Sequence, residues 1–513
     1  MERPLKILRL GEASVSHRDV ARVARGELPV VLSDEGPWRE RMRRTRQAVD
    51  ERAAGPDPFY GVNTGFGASC VNPVSVAFGL ELAQNLVRFH GCGVGPPFGR
   101  EEGRAVLVAR LAQLAAGGSG IRLSTLEAMV RLLAEDIVPC IPELGSVGAS
   151  GDLTPMSYVA AVLGGDREVI FRGRICPARE ALAAVGLPPI ELGPKESLSI
   201  MNGTSVMTGL VALGLARAEA FVRAHATLTA WNSFLLRGQA AHFDERLFLA
   251  KPHPGSMRYA AWVRAALASG PRPPPAAGKV QDPYSIRCAP QVVGVLVDVL
   301  AQAAATVEIE LNGANDNPIL CSETGDVLHG GNFYGGHIAH VADTLKLQVA
   351  HAAEVLERQL VLLCHAPPTV GLPENLVVAT GESRSAHHGF KAMEILASAL
   401  VAEALKLAAP ASAYSRSTEG GNQDKVPMGA LGARELGRIL ALAELVLAVG
   451  LLAAAQATDI GGRRAELPPP LAALYQALRA LDPQADGDRP HDSVIARCLA
   501  AYRAGELPLP ELP

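Results

Sequence analysis

Apolar residues recur at steps of three and four along the second half of the chain. Between residues 336 and 363 the positions that keep this spacing are Ile338, Val341, Leu345, Val349, Ala352, Val355, Leu356, Leu360 and Leu363. Such a period is that of an α-helix. Residues 285–311 after Pro290, 391–408 and 429–457 are apolar nearly all round, which is typical of helices buried among other helices. The pattern predicts a mainly α-helical fold around a long central bundle, with a smaller mixed region at the N-terminal end.

Strand-like patterns are short and few. Residues 167–174 and 318–331 read as small hairpins, and the second turns at Thr324-Gly325-Asp326. The proline-rich stretch 270–279 is incompatible with a helix and predicts a long loop. We divide the chain into an N-terminal region (1–200), a central long-helix bundle with binding loops (201–430) and a C-terminal helical region (431–513).

Composition narrows the class of protein. The 513 residues carry a formal net charge of −4, which predicts neither a nucleic-acid partner nor attraction to a membrane surface. The eight cysteines are scattered without a C-x-x-C pair, as in reduced cytoplasmic proteins. No long apolar run follows the first residues, the uncharged stretch 197–216 is interrupted by Asn202-Gly203-Thr204, and 445–458 is too short to span a bilayer. These features predict a cytoplasmic protein without a membrane span.

Polar islands interrupt this apolar chain. They are "FYGVNTGFG" (59–67), "GASGD" (148–152), "SIMNGTS" (199–205), "VQDPYSIRCAPQ" (280–291), "NDNP" (315–318), "GGNFYGG" (330–336) and "STEGGNQD" (417–424). Each alone is readily a turn or a helix cap, but together they predict one assembled site, because loops often carry function. The chain contains no Walker loop, no G-x-G-x-x-G and no H-E-x-x-H, so no motif predicts a nucleotide or metal site.

In order and spacing, the islands resemble the ammonia-lyase and aminomutase family that includes histidine, phenylalanine and tyrosine ammonia-lyases. The resemblance covers roughly residues 55–430. It implies the ammonia-lyase fold, a long α-helical bundle. It also implies a homotetramer in which each active site takes residues from three subunits.

The resemblance further implies a prosthetic group made from Ala149, Ser150 and Gly151. In this family the Gly nitrogen attacks the Ala carbonyl carbon, two waters leave, and Ser loses its hydroxyl. The product is 4-methylideneimidazol-5-one (MIO), whose exocyclic methylene is an electrophile. The tripeptide lies in the N-terminal region, and the family needs no added metal or nucleotide for this covalent catalysis.

Other island residues match family positions one by one. Tyr60 matches a mobile-loop tyrosine assigned as the general base, and Arg287 matches the residue that binds the substrate carboxylate, a bidentate task suited to Arg. Asn202 matches the asparagine beside the ring. The remaining matches, at binding, ring-supporting and pocket positions, are Gln281, Tyr284, Asn317 and Phe333.

Substrate choice is assigned to Phe89, His90, Glu419 and Gln423. Histidine ammonia-lyases carry Glu where this chain has Gln423, so Gln423 argues against imidazole as the preferred side chain. Phe89 supplies an aromatic wall, and His90 can hydrogen-bond a phenol hydroxyl. The expected function is an aromatic amino acid ammonia-lyase for tyrosine, phenylalanine or both. The alternatives are a 2,3-aminomutase, a histidine ammonia-lyase and a non-catalytic helical scaffold.

Overall fold

The computed structural model describes residues 7–148, 152–268, 275, 280–484 and 487–511. In chain order its α-helices are α1 (His17–Arg25), α2 (Gly36–Ala53), α3 (Gly79–Phe89), α4 (Arg100–Ala115), α5 (Leu123–Ala134), α6 (Leu153–Leu163), α7 (Ala178–Ala184), α8 (Glu196–Met201), α9 (Ser205–Leu235), α10 (Glu245–Leu249), α11 (Pro254–Leu267), α12 (Tyr284–Arg287), α13 (Ala289–Asn312), α14 (Gly336–Cys364), α15 (Lys391–Leu407), α16 (Gly429–Ile460), α17 (Pro469–Leu481) and α18 (Asp492–Arg503). The strands are β1 (Leu8–Leu10), β2 (Val30–Leu32), β3 (Val94–Pro97), β4 (Val138–Pro139), β5 (Pro142–Leu144), β6 (Glu168–Phe171), β7 (Arg174–Pro177), β8 (Ile319–Leu320) and β9 (Val327–Leu328).

The long helices follow the apolar pattern. Helices α13, α14, α15 and α16 lie where the sequence predicts helices, with ends that differ by a few residues. Helix α9 is absent from the predicted set because charged residues such as Arg217, Glu219 and Arg223 break its apolar run. The proline-rich stretch 270–279 lies outside the described residues except for Pro275.

The strands form small ribbons. Strands β6 and β7 pair antiparallel, as do β8 and β9, so both predicted hairpins are confirmed. Strand β4 adds antiparallel to β6, β3 pairs antiparallel with β5, and β1 pairs parallel with β2. Ribbons this short leave the helices as the main source of the core.

The chain forms two compact units. The first comprises Met1–Ala216, Ala303–Asp343 and Pro410–Gly437, and within it α1 packs against α4 while α3 packs against α6 and α8. The second comprises Arg217–Gln302, Thr344–Ala409 and Arg438–Pro513, and within it α10 packs against α11 and α17 against α18. The division into three consecutive regions, 1–200, 201–430 and 431–513, stays a prediction.

Three helical segments in the described part of the chain are long and apolar enough, by length and composition, to cross a membrane: Glu196–Leu235, Tyr284–Asn312 and Gly429–Ile460. The most apolar window of the first is wholly buried inside the protein, and that of the third is 83% buried. Packing within the protein therefore accounts for their apolar character. The window of Tyr284–Asn312 is only 39% buried, which leaves apolar surface uncovered. The cytoplasmic location stays a prediction.

Candidate active site

The first unit encloses a cavity of roughly 410 Å³. Leu86, Leu153 and Leu198 give it an apolar wall, and polar side chains converge on the remainder. Residues predicted from the sequence that line it are Tyr60, His90, Asn202, Asn317, Phe333, Glu419 and Gln423. The structure thus brings together residues from five of the polar islands and the end of α3 in one concave site, as ligand sites generally require.

Tyr60 lies on the cavity wall with its phenol oxygen held by the backbone. That oxygen accepts a hydrogen bond from the Gly67 amide N–H at 2.9 Å. The rings of Phe66 and His329 meet the Tyr60 ring edge-on, with centroids 6.4 Å and 6.3 Å away. Burial raises the pKa of Tyr60, and the Glu419 carboxylate adds to that rise, while the Gly67 N–H opposes it. The described surroundings therefore favour the neutral phenol.

Glu419 packs directly against the backbone that holds Tyr60. Gly67 has φ +55°, a conformation that favours glycine, and a Cβ built on it would lie 2.1 Å from Glu419 Oε2, so a side chain at this position would displace the Glu419 carboxylate. Asn422 Nδ2 donates to the same carboxylate oxygen at 3.1 Å. Glycine at position 67 thus lets a carboxylate approach the tyrosine loop closely.

His90 follows α3 and presents one ring nitrogen to the backbone. Its Nδ1 lies 3.0 Å from the carbonyl oxygen of Leu86, an atom that can only accept, so Nδ1 carries the proton and donates. Burial lowers the pKa of His90, which favours the neutral ring. The other nitrogen, Nε2, is then an acceptor on a side chain that lines the cavity.

Phe89 does not join this wall in the described chain. It is 59% exposed, is not among the cavity-lining residues, and stacks on His90 with centroids 4.3 Å apart. It is the last residue of α3 and is not among the buried residues of that helix. Its role as an aromatic wall stays a prediction.

Gln423 is oriented by a short bridge across its loop. The Thr418 backbone N–H donates to the Gln423 carbonyl at 2.9 Å, and the Thr418 hydroxyl donates to Gln423 Oε1 at 2.7 Å. The side-chain oxygen is therefore engaged within the loop. This arrangement gives the amide at position 423 a defined orientation beside the cavity.

Asn202 and Asn317 both line the cavity and belong to one hydrogen-bonded cluster. Asn202 Nδ2 is 3.1 Å from Asp316 Oδ1 and 3.3 Å from the Asn317 carbonyl oxygen. The Asn317 side-chain oxygen accepts a hydrogen bond from the Gly330 N–H at 3.0 Å, which ties it to the loop that carries Phe333. Side chains from two distant islands are thus fixed relative to one another.

Ala149, Ser150 and Gly151 lie outside the described residues, but both of their flanks are held. Gly148 has φ +72° and Asp152 has φ +57°, both in the left-handed region. The Val147 carbonyl accepts a hydrogen bond from the Met428 N–H at 3.1 Å. Anchored, left-handed flanks on both sides fit a tripeptide that must be compressed to cyclise into MIO.

Asp152, directly after the tripeptide, is a buried carboxyl group. One of its oxygens accepts from the Met207 backbone N–H at 3.3 Å, and the other accepts from the Ser146 hydroxyl. Burial raises the pKa of Asp152 to about 6, while these hydrogen bonds oppose the rise.

Gln281, Tyr284 and Arg287 belong to the second unit, and none of them is among the described residues that line the cavity. Arg287 Nε donates to the Asp282 carbonyl at 3.0 Å, and its guanidinium lies over the Tyr284 ring, 4.6 Å from the centroid. That hydrogen bond engages Nε and not the two terminal nitrogens. The geometry leaves the guanidinium able to form a bidentate pair with a carboxylate.

Several cavity residues are absent from the predicted set: Phe66, Cys70, His329, Tyr334, Asp424 and Lys425. Most of them lie in the polar islands or directly beside them, and His329 precedes "GGNFYGG" by one residue. That adjacency was the available signal. Among the described residues, no group of three or more His, Cys, Asp or Glu side chains is arranged to hold a metal ion.

Comparison with known proteins places this geometry in a family. The family described as "Aromatic amino acid lyase" matches residues 15–480. The chain is 37% identical to a histidine ammonia-lyase of Sorangium cellulosum over 505 residues, which cover 96% of each chain. It is also 37% identical to a tyrosine ammonia-lyase of Cupriavidus metallidurans over 512 residues, covering 95% of this chain and 94% of that one.

A Streptomyces globisporus enzyme is similar in both sequence and structure. The MIO-dependent tyrosine 2,3-aminomutase of that organism is 40% identical over 468 residues, covering 87% of this chain and 86% of the relative. The crystal structure of the tyrosine aminomutase superimposes with a TM-score of 0.91 over 98% of this chain and 97% of that one, at 36% identity. The predicted mainly α-helical ammonia-lyase fold is confirmed. The chain belongs to the aromatic amino acid lyase family and is a carbon–nitrogen lyase.

Proposed function

We propose that this chain is an ammonia-lyase that accepts L-tyrosine and L-phenylalanine, with tyrosine preferred, and releases ammonia to leave coumarate or cinnamate. The observation that carries the substrate assignment is the hydrogen bond between His90 Nδ1 and the Leu86 carbonyl. It makes Nε2 an acceptor, and the hydroxyl of tyrosine is a donor of matching polarity. Phenylalanine would leave that acceptor unpaired in a partly buried site, at a cost of about 1–3 kcal/mol.

A histidine side chain also offers an N–H donor, so a second residue must discriminate against it. Histidine ammonia-lyases carry Glu at the position that matches Gln423. The side-chain oxygen of Gln423 already accepts a hydrogen bond from the Thr418 hydroxyl. A neutral amide gives an imidazolium no opposite charge. We therefore rank histidine below the two phenyl-ring substrates, although a histidine ammonia-lyase is among the similar proteins.

We assign the electrophile to MIO formed from Ala149-Ser150-Gly151. The anchored flanks at Gly148 and Asp152 support this assignment, as does the similarity to an enzyme named as MIO-dependent. When formed, the ring supplies a methylene that takes up the amino group. The chain's own residues would then bind and orient the amino acid around it: we assign Tyr60 to the β-proton and Asn202 to the amino group, since both line the cavity.

Tyr60 is the proposed base, and as a base it must give up its phenol proton. The described surroundings raise its pKa, so added positive charge would favour the phenolate. We propose that Arg287 of a second copy supplies that charge and binds the substrate carboxylate, in a homotetramer with shared sites. The exposed apolar residues Val292, Val295 and Ile309 of α13 support association, because such surface is normally covered.

A 2,3-aminomutase is the second candidate, favoured by the 40% identity to the Streptomyces globisporus enzyme. A mutase would retain ammonia and return it to the β-carbon, giving β-tyrosine. The same base, amine-binding and carboxylate-binding residues serve both reactions. The distinction lies in how long the site holds the unsaturated acid before releasing it.

The test is incubation of the purified chain with L-tyrosine, L-phenylalanine and L-histidine, followed by chromatography of the products and an ammonia assay. We expect coumarate and cinnamate with stoichiometric ammonia, and a higher kcat/KM for tyrosine. Accumulation of β-tyrosine without ammonia would favour the mutase. Faster turnover of histidine would overturn the substrate assignment, and no product from any of the three would overturn the lyase proposal.

A further inference from the structure

A buried ion pair lies beneath the cavity in the first unit, and the reaction scheme above leaves it without a role. Lys195 immediately precedes α8, and Asp316 follows α13; both are almost completely buried. Lys195 Nζ donates to Asp316 Oδ2 at 2.6 Å. Burying two charges costs more than it returns in many proteins, so such a pair is weak evidence for stability alone.

Each end of this pair is fully engaged. Lys195 Nζ also lies 3.1 Å from the Ser119 carbonyl and 3.4 Å from the Ser199 hydroxyl, which gives its three N–H bonds three acceptors. The other carboxylate oxygen, Asp316 Oδ1, accepts from the Asn317 backbone N–H at 2.7 Å and from Asn202 Nδ2 at 3.1 Å. The carboxylate therefore links a buried cation to a side chain of the cavity wall.

This linkage determines which end of the Asn202 amide faces the cavity. The Asp316 carboxylate and the Asn317 carbonyl oxygen both lie within hydrogen-bond distance of one end of the Asn202 amide, and both can only accept. Only the NH₂ group of Asn202 can face them. The amide oxygen of Asn202 must then lie on the other side, and Asn202 lines the cavity.

We propose that Asp316, held by Lys195, is a positioning residue that turns the Asn202 amide so that its oxygen accepts an N–H from the amino group of the substrate. This inference rests on the proposed function, because it takes an α-amino acid as the ligand. An amino group carries only N–H donors when protonated, so an acceptor at this position binds it and an NH₂ group would repel it. The backbone of Asn202 is fixed separately, since its carbonyl accepts from Arg110.

The discriminating variant is Asp316→Asn. The Lys195 ammonium is the strongest donor nearby, so the new amide turns its oxygen to Lys195 and its NH₂ to Asn202. Two NH₂ groups cannot face one another, and Asn202 rotates to present a donor to the cavity. We expect kcat/KM for L-tyrosine to fall by about tenfold to a hundredfold.

A double-mutant cycle separates positioning from general damage to the fold. In an Asn202→Ala background the amide is gone, and Asp316→Asn then has nothing to turn. We expect it to change kcat/KM by less than about twofold in that background. Additive losses in the double variant would overturn the inference.

A binding measurement gives a second readout that needs no turnover and no prosthetic group. In a Ser150→Ala background, calorimetry compares the affinity of L-tyrosine with that of 4-coumarate, which lacks the amino group. Asp316→Asn should weaken L-tyrosine about tenfold and leave 4-coumarate within about twofold. Equal weakening of both ligands would mean a deformed cavity and would overturn the proposal.

Controls keep this result distinct from the proposed function. Glu444→Gln alters another buried carboxylate, paired with Arg217 and Arg503 in the second unit, and should leave both affinities unchanged. If Asp316→Asn does not fold, Lys195→Gln weakens the same pair and should give a smaller loss with the same ligand selectivity. A wild-type chain that binds L-tyrosine but forms no product would overturn the lyase proposal alone, whereas one that binds no aromatic amino acid would overturn both.

Discussion

The cavity wall of the first unit and the segment 280–288 of the second unit differ in how the fold holds them. Around the cavity, the Gly67 N–H, the Leu86 carbonyl and the buried Asp316 carboxylate fix the polar groups of Tyr60, His90 and Asn202, respectively. In the segment 280–288, Tyr284 is 72% exposed and Val280 is 83% exposed, although the Arg287 guanidinium is tied to the backbone. The polar groups of the cavity wall are therefore held in place within the first unit, whereas the side chains of Val280 and Tyr284 in the segment 280–288 are exposed.

The cavity wall and the segment 280–288 also differ in charge. Among the described residues that line the cavity, Glu419 and Asp424 are acidic and Lys425 is the one with a permanent positive charge. The pKa of Tyr60 is raised there by burial and by Glu419. The cation suited to a carboxylate, Arg287, belongs to the other region. Under the proposed function, a single chain would supply the groups that bind the ring and the amino group, whereas Arg287 of a second copy would supply the charge for the carboxylate and the base.

The largest effect is expected from Ser150→Ala, which removes the leaving group needed for the electrophile. If the cavity works through MIO, kcat should fall by about three orders of magnitude or more. Intact mass should show wild-type protein lighter by two waters than its sequence, and the near-ultraviolet absorbance of the ring should vanish in the variant.

Ser157→Ala is the matched control, because among the described residues its hydroxyl donates to the Thr154 carbonyl, one helical turn away. It should retain the mass loss, the absorbance and the activity. Wild-type turnover by Ser150→Ala would show that the cavity functions without the electrophile.

Mixing two inactive variants tests the division between the regions. Tyr60→Phe removes the proposed base and Arg287→Ala removes the carboxylate ligand, so each alone should be nearly inactive. If the two residues of one site come from different copies, random hybrids should recover about a quarter of wild-type activity. Co-expression followed by a tyrosine assay measures the recovery.

The control is a chain that carries both substitutions, co-expressed with wild-type protein. In that mixture, sites with both residues intact also form at about one in four. Recovery from the doubly substituted mixture but none from the two single variants would place both residues in the same copy. The proposal that each site combines residues of two copies would then be wrong.

His90→Leu tests whether the cavity region alone reads the ring. It removes the Nε2 acceptor, so kcat/KM for tyrosine should fall about ten- to a hundredfold. Phenylalanine should be unaffected or improved, because the wall becomes apolar. Steady-state kinetics on both substrates give the ratio; equal losses would indicate that the bond to Leu86 supports the backbone and nothing more.

The sequence predicts a large part of this arrangement. Long apolar runs predict α13 to α16 because a helix buried on all sides needs no polar face. The glycine- and asparagine-rich islands predict the cavity residues because turns that approach a ligand need such residues. Both signals are local, because each depends on residues that are close together in the sequence.

What the sequence does not predict depends on contacts between distant residues. The proton position on His90 follows from a carbonyl that only a folded α3 places beside it. The pair of Lys195 with Asp316 joins residues 121 positions apart, and no spacing rule connects them. Phe89 adjoins His90 in sequence but not in the cavity, because successive residues on a helix point in different directions.

Glu419→Gln sharpens the electrostatic side of the comparison. The carboxylate raises the pKa of Tyr60, so its removal should lower that pKa and increase the phenolate fraction at a given pH. Because the base acts as phenolate, the rising limb of kcat/KM against pH should move to lower pH. Asp424→Asn, which removes an equal charge from the same loop, should leave the limb in place. A limb that shifts equally in both variants would reflect the net charge of the cavity.

The smallest effect concerns stability beside the tripeptide. Burial raises the pKa of Asp152 to about 6 from its ordinary value of 3.8, so folding opposes its ionisation. The stabilising contribution is therefore present below about pH 4 and is lost as pH rises through about 6, and the loss corresponds to about 3 kcal/mol. Asp152→Asn can keep the bonds to Met207 and Ser146 without ionising.

The thermal midpoint of Asp152→Asn should therefore exceed that of wild type by about 3 °C at pH 8 and match it near pH 4. Ser146→Ala provides the opposite change, because the Ser146 hydroxyl lowers the pKa of Asp152 and its removal should deepen the loss at high pH. Scanning calorimetry from pH 4 to pH 8 on the three proteins measures both. Parallel profiles for wild type and Asp152→Asn would show that Asp152 is already ionised in the folded chain at pH 4. Burial would then not raise the pKa of Asp152.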